Sequence, residues 1–158
     1  MTAIPAPVSE IDPDACVEAV DASYLQTLVG FNARMAALKA IGAFIPRMAP
    51  YGLRIVDFSI LSIVRHNPGV TSRQLCDALT LLPPNLVGKI ATLEKRGLLV
   101  RHPHPQDGRA LGLHLTREGQ ALMAVAEAEI SALEAGIVSH LTTRERQTLT
   151  RLLRKIYE

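Results

Sequence analysis

Two histidines, a carboxylate and an arginine crowd one short stretch, RHPHPQDGR, over residues 101–109. His102, His104 and Asp107 form an H-x-H-x-x-D pattern. Residues i and i+2 of a strand point the same way, so two imidazoles there could share a metal. Zinc takes three or four ligands, however, and the spacing fixes no third strong one, while Pro103 and Pro105 interrupt the strand. No metal and no cofactor is expected. No nucleophile is paired with a base and no glycine-rich phosphate loop occurs, so no enzyme is expected either. The cysteines, Cys16 and Cys76, lie far apart and make no CxxC or zinc-ribbon spacing. Acids surround Cys16 in DPDACVEAVD, which disfavours the thiolate that a redox sensor needs. Cys76 reads as a buried apolar thiol. Arg109 is the residue left to explain. It follows Asp107 by two positions, and a carboxylate at that distance can hold a guanidinium fork in place. The plainer alternative is a loop ion pair worth less than about 1 kcal/mol.

Charge suggests what Arg109 would meet. The 158 residues carry a net charge of only +2. Yet residues 1–24 hold Glu10, Asp12, Asp14, Glu18 and Asp21 and no Lys or Arg. Residues 85–117 hold six cations, Lys89, Lys95, Arg96, Arg101, Arg109 and Arg117, against two acids, Glu94 and Asp107. A basic patch on a nearly neutral chain suits a polyanion, with an ordinary solvated face as the alternative. Ser72 and Arg73 open a helix whose N–H groups, hydroxyl and cation could hold a phosphate, or serve only to cap it.

The elements that carry these residues follow from periodicity. The chain is 48% apolar but 4% aromatic, and Ala and Leu favour helices. Length suits one domain. No apolar run approaches the ~20 residues that span a bilayer. The N-terminus lacks the cationic flank and apolar stretch of a signal peptide, so a cytoplasmic protein is expected. Residues 1–18 read as a flexible acidic tail. A long helix over 19–48 places Leu28, Phe31, Met35, Leu38, Ile41 and Ile45 at steps of three and four, with Pro46 ending or kinking it. Pro50 and Gly52 mark a turn. A helix over 54–66 buries Phe58, Leu61, Ile63 and Val64. Thr71 and Gln74 form a capping box for a short helix with Leu75, Cys76 and Leu79 inward. Pro83 and Pro84 open the next helix, with Leu86, Val87, Ile90 and Leu93 inward and Gly97 as its stop. Strands over 98–101 and 111–115 flank the loop with Pro103, Pro105 and Gly108. Thr116 caps a helix reaching about residue 140, with Leu122, Val125, Ile130, Leu133 and Ile137 on one side. Thr142 and Glu145 cap the last helix, whose apolar face is Leu149, Leu152, Leu153 and Ile156.

The expected fold is mainly α with a small β hairpin: a winged helix-turn-helix over about 53–116, flanked by long dimerisation helices over about 19–48 and 117–157. Their exposed apolar stripes suggest a helical dimer layer.

The run LEKRGLLVR, a loop with DGR, then LGLHLTREG resembles the MarR (multiple-antibiotic-resistance regulator) family of transcription factors, as does the terminal LTTRERQTLTRLLRKI. The resemblance covers roughly 25–157 and implies a single MarR-type domain over 19–158. It implies a homodimer that binds a near-palindromic operator in double-stranded DNA. The helix over 84–96 would enter the major groove, and the wing tip the neighbouring minor groove. A repressor released by a small aromatic acid or acyl derivative is the implied function. A winged-helix module that binds protein instead of specific DNA is the alternative.

On that footing the D-x-R of Asp107 and Arg109 matches the family's wing motif, and a guanidinium suits the negative potential of a narrow minor groove. Pro84, Asn85, Gly88 and Lys89 are the exposed positions of the reading helix. Asn pairs with adenine, and Lys with guanine or phosphate. The family often has arginine where Gly88 stands, so the base code departs from its pattern. Gly88 would let the backbone approach DNA or accommodate a packed neighbour. His104 would touch the DNA backbone, and Ser72 and Arg73 a phosphate. Phe31, Arg34, Met35, Leu38 and Phe58 could line an apolar cleft with one cation for an acidic aromatic effector. The alternative is that the apolar ones form core or dimer interface.

Overall fold

The computed structural model describes residues 19–104 and 107–158, and the side chains of residues 104–110 lie outside that description. The acidic tail with Cys16, the side chains of His104, Asp107 and Arg109, and all of Pro105 therefore lie outside the described residues. The chain divides into two compact units, parted after Ala36.

In the first unit the expected helix over 19–48 is broken. A short α1 (Ser23–Gln26) precedes α2 (Val29–Met48). At the break, side chains add bonds to the carbonyls, Leu28 O also keeping its ladder bond from Asn32 N–H at 3.1 Å. The Thr27 hydroxyl donates to Tyr24 O at 2.7 Å, and Asn32 Nδ2 donates to Gln26 O at 2.7 Å and Leu28 O at 2.8 Å. Such local bonds compete with the helix ladder.

The second unit begins within α2, which runs two residues past Pro46 before a 3-10 turn over Ala49–Tyr51 and Gly52 at φ +60°. Then follow α3 (Ile55–His66), β1 (Val70–Thr71), α4 (Ser72–Leu79), α5 (Pro83–Lys95), β2 (Leu99–His104), β3 (Asp107–Leu115), α6 (Arg117–Ile137) and α7 (Thr143–Tyr157). One core joins all of these but α7, which has no buried residue. Ile60, Leu61 and Val64 of α3 meet Leu75 of α4, Leu86, Ile90 and Leu93 of α5, Leu113 of β3, and Met123 and Ala126 of α6. Burial of this apolar surface is the main force closing the unit.

The caps fall where the sequence puts them. Thr71 and Gln74 bond reciprocally at the start of α4, and Thr142 and Glu145 do so at α7. At the end of α5, Gly97 N–H donates to Glu94 O and Leu98 N–H to Leu93 O, with Gly97 at φ +71°. That pair of bonds is a Schellman stop, and the left-handed position favours glycine.

Four expectations need correction. The hairpin is a three-stranded antiparallel sheet in the order β1-β3-β2, because Val70 and Thr71 pair with Leu113 and Gly112. Pro103 does not interrupt its strand but pairs with Leu111 within β2. The order leaves β2 at an edge, where proline's missing N–H can face away from the ladder. The helix after Thr116 ends at Ile137, three residues short of the expected 140. Finally, Val87 and Val125 are not inward: they are 55% and 49% exposed, and Met123 and Ala126 fill the core side of α6.

The last helix is amphipathic, and among the described residues its apolar face stays exposed. Leu149, Leu152, Leu153 and Ile156 are all exposed, as are Leu38, Ile41 and Ile45 of α2.

Candidate nucleic-acid interface

The reading helix is held from behind and bare in front. Leu86, Ile90 and Leu93 are fully buried, while Pro84, Asn85 and Gly88 are exposed. Pro83 and Pro84 occupy its first turn, where N–H groups lack helical partners anyway. A Cβ built on Gly88 would meet nothing within 4 Å. Gly88 is thus not glycine because a neighbour crowds it, and the backbone there is open to whatever approaches. Thr92, one turn on, spends its hydroxyl on Gly88 O at 2.9 Å.

The turn leading into this helix is also set by backbone geometry. Thr80 adopts φ +52°, a left-handed conformation uncommon for a β-branched residue, and Leu81 N–H closes the turn onto Cys76 O at 3.0 Å. On the preceding helix Arg73 is exposed and Ser72 half-buried. They border an open groove of about 740 Å³ whose floor is Cys76, Leu81 and Leu86 and whose lip is Leu82, Pro83 and Val87.

Much of the basic segment is engaged inside the fold. Arg101 grips Glu94 with two bonds, Nε to Oε1 at 2.8 Å and Nη2 to Oε2 at 3.1 Å, joining β2 to α5. Arg96 donates to the carbonyls of Gly52 at 2.8 Å and Tyr51 at 3.1 Å, fixing the turn before α3. Lys89 reaches Asp57 at 3.4 Å. Lys95 and Arg117 are exposed. Fewer cations are thereby left for a polyanion than the count of six suggests.

The histidine pattern is arranged differently from the one its spacing suggests. His102 pairs edge-on with His114 across the sheet, ring centroids 5.1 Å apart. Among the described residues no group of three His, Cys, Asp or Glu side chains gathers as a metal site would require.

The residues expected to line an effector cleft fall in both units. In the first, the Arg34 guanidinium lies 5.7 Å from the centroid of the Phe31 ring, and Met35 is exposed. In the second, Leu38 is exposed and Phe58 stacks edge-on against Phe44 at 5.6 Å. A separate cleft of about 700 Å³ lies wholly within the second unit, walled by Phe44, Ile45, Leu53 and Val56 and bearing two cations, Arg54 and Lys89. Sequence reasoning missed this cleft and the carboxylate behind it. Asp57 is the one buried charged residue among those described, its Oδ2 accepting from Arg54 N–H at 3.3 Å while its Oδ1 faces Lys89. An acid set inside the apolar run IVDFSILSIV was the available signal.

Comparison with known proteins agrees with this architecture. The MarR-family model matches residues 51–110, from the turn before α3 to the wing. The homoprotocatechuate degradative operon repressor of Escherichia coli is 31% identical over 127 residues, 80% of this chain and 84% of that protein. The transcriptional repressor CouR, solved bound to a 23-mer DNA duplex, is 30% identical with a TM-score of 0.82, covering 89% of this chain and 99% of that one. The Mycobacterium tuberculosis MarR-family protein Rv2887, solved with salicylic acid, is 26% identical with a TM-score of 0.65, covering 82% and 96%. On this combination of helix order, wing and sequence, the chain belongs to the MarR family of transcriptional regulators.

Proposed function

We propose that the protein is a homodimeric, DNA-binding transcriptional repressor of the cytoplasm, released from its operator by a small aromatic acid or acyl derivative. The observation that carries this is the outward face of α5, where Pro84, Asn85 and Gly88 stand exposed ahead of a wing. Asn85 supplies a donor and an acceptor for a base edge, Ser72 and Arg73 a phosphate clamp, and His104, Asp107 and Arg109 the wing contacts. CouR's complex with DNA supports the partner.

The dimer is built by the flanking helices of the single MarR-type domain over 19–158. The exposed stripe Leu149, Leu152, Leu153 and Ile156 is apolar surface that a second copy would remove from water. Two reading helices related by a two-fold axis then meet half-sites about one helical turn apart.

The effector enters the cleft of Phe44, Ile45, Leu53 and Val56. Apolar walls take an aromatic ring, and Arg54 and Lys89 take its carboxylate. Rv2887's complex with salicylic acid supports this ligand class. Lys89 belongs to α5, so an anion that draws it from Asp57 favours a different setting of the reading helix. Derepression follows only if the ligand binds that setting better than the DNA-bound one.

Fluorescence anisotropy on the DNA upstream of its own gene and on duplexes selected from random sequence tests the proposal. Specific binding that weakens steeply with salt, and release by salicylate, are expected. Absence of any sequence preference in the selection would overturn it.

A further inference from the structure

In the first two turns of α5 the one long polar side chain, Lys89, is paired with Asp57, and exposed Lys95 stands at the far end of the helix. Pro84, Gly88 and Ala91 leave the exposed face nearly flat, and Asn85 is the one residue of the first two turns that offers both a donor and an acceptor to the front. Val87 is the anomaly. It neighbours Leu86, Ile90 and Leu93, all fully buried, yet is itself 55% exposed. Successive residues of a helix are turned by about 100°, which places Val87 at the border between the core side and the front. Leu82, at 69% exposure, and Pro83 continue the same apolar lip.

We infer that Val87, flanked by Leu82, reads the 5-methyl group of pyrimidines in the major groove. The inference rests on the DNA-binding role proposed above. The major-groove edge of a base pair offers donors, acceptors and one apolar feature, the methyl at C5 of thymine. A valine in a helix holds essentially one rotamer, so its two methyls form a rigid contact surface. The open space over Gly88 lets the backbone of α5 come close enough for so short a side chain to reach a base. The groove beside the lip is lined by Arg73, a cation suited to phosphate, and by Asp77, so the choice of a nucleic acid as the occupant comes from the DNA-binding role proposed above. Removing one methyl from this contact weakens binding by about three- to fivefold, the worth of one buried carbon. The methyl of 5-methylcytosine offers the same chemistry at a different base pair.

The test uses the full chain and an operator selected from random duplexes. Each thymine of a half-site is replaced in turn by uracil, which deletes the methyl and keeps the pairing. The wild-type protein loses about three- to fivefold in affinity at one or two positions, and the Val87→Ala protein loses little at those same positions. At a sensitive position, replacing T·A by C·G and then methylating the cytosine separates the two sources. Recovery on methylation means that the methyl is read on either base, and no recovery means that the thymine context is also needed. Alanine at this exposed helical position favours the helix, so the variant folds. Uracil tolerated at every position, or a penalty that persists undiminished in Val87→Ala, overturns the inference while leaving the repressor function intact. Failure to enrich any operator overturns both.

Discussion

Lys89 of the reading helix points its ammonium at Asp57 of α3, Nζ 3.4 Å from Oδ1. The Asp57 side chain is 11% exposed and that of Lys89 33%. A mostly buried carboxylate is thus neutralised by a cation belonging to the helix expected to enter DNA. The same lysine faces the apolar cleft. One side chain therefore belongs both to the support of α5 and to the cleft an acid would enter.

Removing either partner strands the other. Lys89→Met leaves the mostly buried Asp57 carboxyl without its partner, and costs about 1–2 kcal/mol once solvent access to the lysine is allowed for. Urea unfolding shows it as a lower midpoint with unchanged slope. The double variant Asp57→Asn, Lys89→Met recovers more than half of the loss. Losses that simply add in the double variant would mean the pair is energetically idle.

Gly88→Ala separates folding from binding. With nothing within 4 Å of the added carbon, the protein gains about 1 kcal/mol in thermal or urea unfolding, the usual helix preference for alanine. DNA affinity falls, because the carbon stands where the backbone meets the groove. A more stable protein with unchanged affinity would show that DNA does not approach there.

Two other glycines behave oppositely. A Cβ on Gly112 would lie 2.8 Å from Gly69 O, and one on Gly119 would collide with Leu98 O. Both obstacles are backbone. Gly112→Ala and Gly119→Ala each destabilise by about 2–4 kcal/mol, read as a lowered unfolding midpoint.

The wing arginine should dominate the electrostatic part of binding. Arg109→Ala lowers affinity for all DNA and reduces the slope of log K against log salt by about 1, if it neutralises one phosphate's charge. An unchanged slope would place Arg109 away from the duplex.

Helix α7 carries a small acid sensitivity. Hydrogen bonds from the Thr142 hydroxyl and N–H hold the Glu145 carboxyl below the ordinary glutamate range. A carboxylate with a lowered folded value stabilises above its unfolded value and loses that contribution as pH falls through the folded one. The α7 N-terminus therefore loosens only on the acid side of the glutamate range. An NMR titration of Glu145 in wild type and Thr142→Ala shows the difference, with the variant titrating higher.

The sequence made helix order and caps legible because those signals are local. Thr71 with Gln74, Thr116, Thr142 with Glu145, the Pro83–Pro84 start and the Gly97 stop each depend on residues within one turn. What it hid depends on partners far along the chain. Val70 and Thr71 become a strand only because Leu113 and Gly112 arrive beside them. Pro103 is tolerated because β2 lies at an edge, which the order β1-β3-β2 decides. Val87 adjoins the apolar stripe, and only the packed helix shows that its side of the border is the outer one. Of the candidate site, the exposed positions Pro84, Asn85 and Gly88 of α5 were legible, whereas Asp57 and the Arg54–Lys89 cleft require α3 and α5 to be brought together.

The root of α6 has a mechanical consequence. Thr116 donates from its hydroxyl to Gly97 O at 2.6 Å and from its N–H to Leu98 O at 3.1 Å, and Gly119 abuts that same Leu98 carbonyl. The end of α5 and the start of a 21-residue helix are thus riveted through main-chain atoms and one short hydroxyl. A helix of that length is a lever arm of about 32 Å, so a tilt of only about 6° displaces its far end by roughly 3 Å. Because the rivet has no long side chain to absorb strain, rocking at one end of the arm is delivered to the other nearly undamped. A slight repacking between two copies would then alter the gauge between their reading helices.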